Sequence, residues 1–132
     1  MQLQATAFIC HQLAAMIGAG IEPAEAFSVL ADVERNRVLR SELRAAAADL
    51  REGVSVSEAF ARRPHLASPS VVVLLQGGEE AQLLPQMLHK VGEMLSQQAE
   101  AQAALRAAYR RDALMIAALV AVIFVGRSGS RR

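Results

Sequence analysis

The residues that could carry catalysis or bind a metal are few and widely separated. The three histidines, His11, His65 and His89, belong to no HExxH motif and have no spacing typical of paired metal ligands. The single cysteine, Cys10, lies near an apolar helix face, where a free thiol is better explained as a small packed hydrophobe than as a nucleophile. The sequence contains no GxxxxGKS/T loop and no Rossmann glycine pattern. We therefore expect no enzyme activity, no catalytic residue and no cofactor.

Glu79 and Glu80 are the one pair of adjacent carboxylates that invites a chemical interpretation. Adjacent side chains on a helix point about 100° apart, so this pair does not form a facing acid and base. Capping of a helix N-terminus explains them better, because negative charge is favoured beside unpaired backbone N–H groups. The alternative is that one carboxylate binds a divalent cation together with oxygens of a neighbouring turn. We expect capping and no metal site.

These carboxylates lie within a segment, residues 77–88, that we call the corner. Gly77 and Gly78 follow an apolar run and are predicted to end one helix in a sharp reversal, because glycine tolerates positive φ. Glu79 and Glu80 are then predicted to cap the next helix, with Pro85 in its opening turn. The pattern indicates a tight turn between two buried helices.

Composition excludes several classes of protein. Hydrophobic residues make up 53% of the 132 residues and aromatic residues only 4%, and the formal net charge is +1. No concentrated basic surface is evident, so we expect no nucleic-acid partner. One cysteine cannot form an internal disulfide and fits a reducing compartment. No basic segment precedes an apolar stretch at the N-terminus, so no cleavable secretory signal is expected.

Apolar spacing and local signals predict an all-α chain: an antiparallel bundle of about six helices with a long last helix. Gly20 and Gly53 are predicted to stand at helix ends, and Ser55 with Glu58 matches a capping box. Val71–Leu75 could be a short buried strand, but Ser68-Pro69 before it favours a helix. The predicted helices cover about 3–18, a short stretch from Pro23, about 38–52, a short stretch after Ser55, a stretch after Ser68, and a long segment from Leu83.

The last helix changes character near its end. Residues 113–125 carry no charge, and the uncharged segment of about 14 residues is shorter than the roughly 17–25 residues of a spanning helix. A buried core helix is the alternative, but the segment has no polar face, which a small soluble bundle could not easily cover. Arginines lie on both sides, so their distribution gives no orientation. We expect a cytoplasmic bundle domain at 1–108 and an apolar, membrane-contacting segment at 109–132.

Three ordered motifs run along the chain. The first is Phe-x-x-x-Gln-Leu-Ala at 8–14, which is followed by an Ala-Gly turn that ends at Gly20. The second is Gly-x-Ser-hydrophobic-Ser-Glu-Ala, from Gly53 through Ser57 to Ala59. The third contains Gly78, Glu79, Leu84 and Leu88. This series resembles the F domain of inner-membrane platform proteins of type II secretion and type IV pilus assembly, whose most telling motif is Gly-Glu-x-Ser/Thr-Gly-x-Leu with a further leucine.

Three departures from the family pattern stand out. Ala81 and Gln82 replace the usual Ser/Thr and Gly, so we expect a stiffer or differently hydrogen-bonded corner. Glu22-Pro23 carries the proline one residue later than usual, and Tyr109-Arg110 lacks the usual proline after tyrosine. Such platforms usually contain two copies of the domain and several membrane spans. This sequence contains one copy, so it is similar to an N-terminal half, a fragment or a reduced relative.

The resemblance implies a non-enzymatic scaffold in the bacterial inner membrane, with its helical domain in the cytoplasm. Its partners would be an assembly ATPase, other inner-membrane subunits of the machine, and pilins or pseudopilins. The interaction residues would be those of the shared motifs, namely Gly20, Gly53, Ser57, Gly78, Glu79, Leu84 and Leu88. Self-association into a homo-oligomer is also expected. The alternatives are a soluble or tail-anchored helical adaptor unrelated to secretion, and a membrane-associated regulator that dimerises through its Gln/Ala-rich helix.

Overall fold

The computed structural model describes residues 2–129, and these residues form six α-helices and no strand. The all-α prediction, including a long last helix, is therefore confirmed. Arg131 and Arg132, which the sequence places in a basic tail, lie outside the described residues. The helices are α1 (Leu3–Gly18), α2 (Pro23–Val33), α3 (Arg37–Arg51), α4 (Val56–Ala61), α5 (Pro69–Glu80) and α6 (Leu84–Gly129).

Side-chain caps determine where three of the helices begin. The Asn36 carboxamide oxygen accepts hydrogen bonds from the backbone N–H groups of Val38 and Leu39, so Asn36 starts α3. Ser55 and Ser68 cap α4 and α5 in the same way. The capped start of α5 confirms that the valine-rich run is helical rather than a strand.

Two short turns follow the glycines that the sequence marked. Gly20 and Gly53 both have φ near 94°, a conformation that residues with a Cβ rarely adopt. After Gly20 the N–H of Ile21 donates to the carbonyl of Met16 at 3.0 Å, and after Gly53 the N–H of Val54 donates to that of Asp49 at 3.1 Å. Both patterns are Schellman motifs, which satisfy carbonyls at the end of a helix and reverse the chain.

The hydrophobic core joins all six helices within the first part of the chain. Phe27 of α2 meets Phe60 of α4 edge to face, with ring centroids 5.7 Å apart. Two large apolar residues lie outside this core, because Phe8 is 56% exposed and Leu83 is 49% exposed. The largest fully buried aliphatic side chains are Ile9, Leu13, Leu43, Leu66, Leu75, Leu88 and Val91.

The contacts divide the chain into two units, Met1–Gln97 and Gln98–Arg132. The first unit contains α1 to α5 and the beginning of α6, and it holds nearly all of the core. In the second unit every residue from Glu100 to Gly129 is exposed. Among the described residues, α6 is the one helix long and apolar enough to cross a membrane, judged by length and composition.

Candidate functional site: the corner and its contact with α4

The corner turns later in the chain than the sequence predicted. Gly77 and Gly78 do not end α5, which continues through Glu80, and Glu79 and Glu80 form its last turn rather than the first turn of α6. The reversal occurs at Gln82, the one non-glycine residue with positive φ (57°) among the described residues. The N–H of Leu83 donates to the carbonyl of Gly78 at 2.7 Å, which completes a third Schellman motif.

Gln82 stands at the position where the family pattern usually has glycine. The left-handed conformation brings the Cβ of an L-residue close to the following carbonyl oxygen, at a cost of roughly 1–2 kcal/mol. Glutamine at this position therefore puts a residue with a Cβ into a strained backbone conformation.

Gly78 has a second role, which is to let α5 and α6 approach each other. A Cβ added at Gly78 would lie 2.7 Å from the Cβ of Met87, closer than real Cβ atoms come to one another. At Gly77 an added Cβ would meet nothing within 4 Å. The glycine at 78 is thus required by packing across the corner, whereas the glycine at 77 is not.

The Glu79 carboxylate does cap a helix, but the helix is α4. Its Oε1 accepts a hydrogen bond from the backbone N–H of Ser57, and its Oε2 accepts one at 3.1 Å from the Ser57 hydroxyl. Ser57 is the second residue of α4, so its N–H is one of those that have no partner inside the helix. A carboxylate at this end is also favoured by the helix dipole. Two of the predicted site residues, Ser57 and Glu79, are therefore in direct contact.

The start of α4 is completed by its own N-cap. The Ser55 Oγ accepts a hydrogen bond from the Glu58 N–H at 3.2 Å, which is the serine half of the predicted capping box. The Glu58 carboxylate lies 3.6 Å from Nε of Arg62, one turn later in the chain. Backbone N–H groups at the start of α4 therefore donate hydrogen bonds both to the N-cap serine and to the Glu79 carboxylate of α5.

The C-terminal side of α4 is held by Arg63, whose side chain is largely buried. Its Nη1 donates to the carbonyl of Ala59 at 2.7 Å, and its Nη2 donates to Asp49 of α3, also at 2.7 Å. The carboxylate of Glu42 lies 3.8 Å from Nε of Arg63. The hydrogen bond from Arg63 lowers the pKa of Asp49; partial burial opposes this shift, and the charges of Arg63 and Arg62 reinforce it. These contacts fix α4, and with it Ser57, against α3.

The first turns of α6 pack on the bundle through the predicted leucines. Leu88 is fully buried and Leu84 is partly buried, as expected of residues that anchor this helix. A further contact was not predicted: a Cβ at Gly92 would lie 2.9 Å from the ring of His11, which meets His89 edge to face at 5.2 Å. A lone glycine inside a long helical pattern was the available signal of this close approach.

The arrangement is built from packing and capping contacts rather than from reactive groups. Burial raises the pKa of the Cys10 thiol to about 12, so the nucleophilic thiolate is disfavoured. Within residues 2–129 no three His, Cys, Asp or Glu side chains form a group that could hold a metal ion. What the site can do is set the position of α6 relative to α4 and α5 within the first unit.

The chain matches the family described as Type II secretion system (T2SS), protein F, over residues 9–127. This match covers most of the 132 residues. The chain belongs to that family. No match was found among curated proteins.

Membership confirms the resemblance drawn from the motifs. The presence of a domain of this family supports the assignment of the chain as a membrane platform protein of secretion and pilus systems. The family is found in the inner membrane. The domain is a structural platform and is generally not an enzyme. The match favours this class over the alternative of a helical adaptor unrelated to secretion.

Proposed function

We propose that this chain is an inner-membrane platform component that couples a cytoplasmic assembly ATPase to the assembly of pilins or pseudopilins. The proposal divides the chain into a cytoplasmic bundle domain at 1–108 and a membrane segment at 109–132. The observation that carries its membrane part is the uncharged segment of α6, in which every residue is exposed, in a chain of this family. Exposed side chains such as Leu114, Ile116 and Phe124 would be unfavourable in water and suit lipid.

The mechanism we propose is mechanical. The bundle docks on the ATPase, and α6 transmits its displacement toward the membrane. The motif residues position α6 in this scheme: Leu84 and Leu88 anchor it, and Gly78 allows its close approach to α5. Glu79 ties the corner to α4 through Ser57, while Gly20 and Gly53 provide the turns that bring the earlier helices together.

Insertion and orientation can be tested together in the cell. After carbonate extraction the chain should stay with the membrane fraction if residues 113–125 are inserted. In a Cys10→Ala background, Gln97→Cys and Ser128→Cys should be labelled from opposite sides by a membrane-impermeant maleimide. The proposed orientation requires that the position-128 variant, not the position-97 variant, reacts in intact spheroplasts. The reverse result would contradict a cytoplasmic bundle.

Coupling to the ATPase is tested by capture of the partner. When the full chain is solubilised in mild detergent and pulled down, the assembly ATPase encoded in the same genome should be recovered with it. Glu79→Ala should weaken this capture if the corner positions the docking surface, whereas Glu80→Ala is the matched control. Failure of the unmodified chain to retain any assembly ATPase would contradict the proposed coupling.

We also propose that the chain self-associates. Several large apolar side chains of the first unit are exposed, among them Phe8, Val33 and Val73. Where such side chains lie together in one contiguous patch, the surface is typical of proteins with a partner. Light scattering of the detergent-solubilised chain would give its mass, and a monomer at all concentrations would contradict the proposal.

A further inference from the structure

A group of arginines precedes the uncharged segment of α6. Arg106, Arg110 and Arg111 are all exposed, and none of them takes part in an ion pair among the described residues. Asp112 is the one carboxylate that directly adjoins them, so the group keeps an excess of positive charge. Three exposed guanidinium groups without an ion-pair partner therefore stand beside an apolar segment and are available to bind an anion.

The helical geometry places these arginines at the level of a lipid headgroup. At a rise of about 1.5 Å per residue, Arg110 and Arg111 lie roughly 3–5 Å before Ala113, where the uncharged segment begins. The headgroup region of a bilayer adds roughly 5–7 Å on each side of the hydrocarbon core. Arg106 lies about 10 Å from Ala113 and can reach the same layer with its long side chain. Tyr109, also exposed, adds an aromatic ring of the kind enriched at membrane interfaces.

We propose that Arg106, Arg110 and Arg111 bind the phosphate groups of anionic phospholipids. A planar guanidinium can donate two parallel hydrogen bonds to one phosphate, which suits arginine to this partner. A soluble phosphate compound has the same chemistry, but the adjacent lipid-compatible segment favours a headgroup. The inference rests on the proposed insertion of residues 113–125, and it adds the class of lipid that this end of the segment selects.

The test is binding of the full chain to vesicles, measured by flotation. The chain is synthesised without cells in the presence of phosphatidylcholine vesicles, with or without phosphatidylglycerol. We expect stronger partitioning into the anionic vesicles. Arg110→Gln with Arg111→Gln should lower that partitioning by about fivefold for each charge removed, and should leave binding to neutral vesicles unchanged. Arg35→Gln with Arg37→Gln, two exposed arginines of the first unit, is the matched control.

The outcomes separate this inference from the proposed membrane function. Equal binding to both kinds of vesicle would overturn the lipid preference while leaving insertion intact. A preference that is undiminished in the Arg110 and Arg111 variant, or that disappears in the control variant, would also overturn it. Flotation with neither vesicle would contradict insertion itself, and the inference would fail with it. Circular dichroism should show the same helix content in all variants, because the substituted side chains are exposed.

Discussion

The Glu79 carboxylate accepts hydrogen bonds from both the backbone N–H and the hydroxyl of Ser57, a residue 22 positions earlier in the chain. This contact joins the last turn of α5 to the first turn of α4. Both residues belong to motifs shared with the family, which lie in separate segments of the sequence. In the folded chain the two motifs form one capping interaction.

Removal of the Glu79 carboxylate should therefore destabilise the first unit. Glu79→Ala is expected to lower the free energy of unfolding by about 1–3 kcal/mol, because hydrogen bonds to a charged group are lost at a partly buried helix end. Chemical denaturation measures this loss. Glu80→Ala, at an exposed position, should change stability by less than about 0.5 kcal/mol.

A double-mutant cycle assigns the effect to the Ser57 contact. Ser57→Ala removes the hydroxyl but leaves the backbone N–H bonded to Glu79, so the single variant should be the milder one. The two substitutions together should cost less than the sum of their separate effects. Strict additivity would show that Glu79 stabilises the fold through some other group.

The two glycines of the corner should respond to alanine in opposite directions. Gly78→Ala places a methyl group against Met87 and is expected to destabilise by about 1–3 kcal/mol. Gly77→Ala, in open space within the same helix, should stabilise by about 0.5–1 kcal/mol because alanine favours the helix. Thermal or urea unfolding compares the two variants. Equal responses would mean that α5 and α6 are not so close at Gly78.

Replacement of Gln82 by glycine should stabilise the corner. The positive φ at this position strains any residue with a Cβ, and glycine relieves that strain at some cost in chain entropy. We expect a gain in the free energy of unfolding of up to about 1 kcal/mol. Gln76→Gly, at an exposed position inside α5, should instead destabilise by about 1 kcal/mol. A loss of stability in Gln82→Gly would contradict a left-handed turn here.

The Asp49–Arg63 pair should make the free energy of unfolding depend on pH. Since the pKa of Asp49 is lower in the folded chain than its usual value of 3.8, the ionised carboxylate favours the folded state. Its contribution is complete above the unfolded pKa and is lost as the pH falls through the folded pKa. Asp49→Asn should thus be destabilised near neutral pH, and its difference from the unmodified chain should shrink in acid.

The measurement for this pair is urea unfolding at a series of pH values from neutral to strongly acidic. Asp32→Asn is the control, since Asp32 is exposed and lies 3.7 Å from Arg44. The control should show little pH-dependent difference from the unmodified chain. A difference for Asp49→Asn that stays constant into acid would exclude a role for its charge.

The sequence by itself determined the helical elements, because their signals are local. Ser55 and Ser68 cap N–H groups only three residues away, and Gly20 and Gly53 stand at helix ends as their sequence pattern predicted. The ordered motifs also determined the family. The uncharged composition of residues 113–125 was likewise readable without coordinates.

Tertiary structure alone decided what the corner residues touch. Helix signals could not separate a glycine that ends a helix from one that admits a neighbouring side chain, so the turn was predicted at Gly77 and Gly78 rather than at Gln82. Nor could they assign the Glu79 carboxylate to α4 instead of α6, because both helices offer unpaired N–H groups. These choices depend on contacts between residues far apart in the chain, and only the packing of the helices brings such residues together.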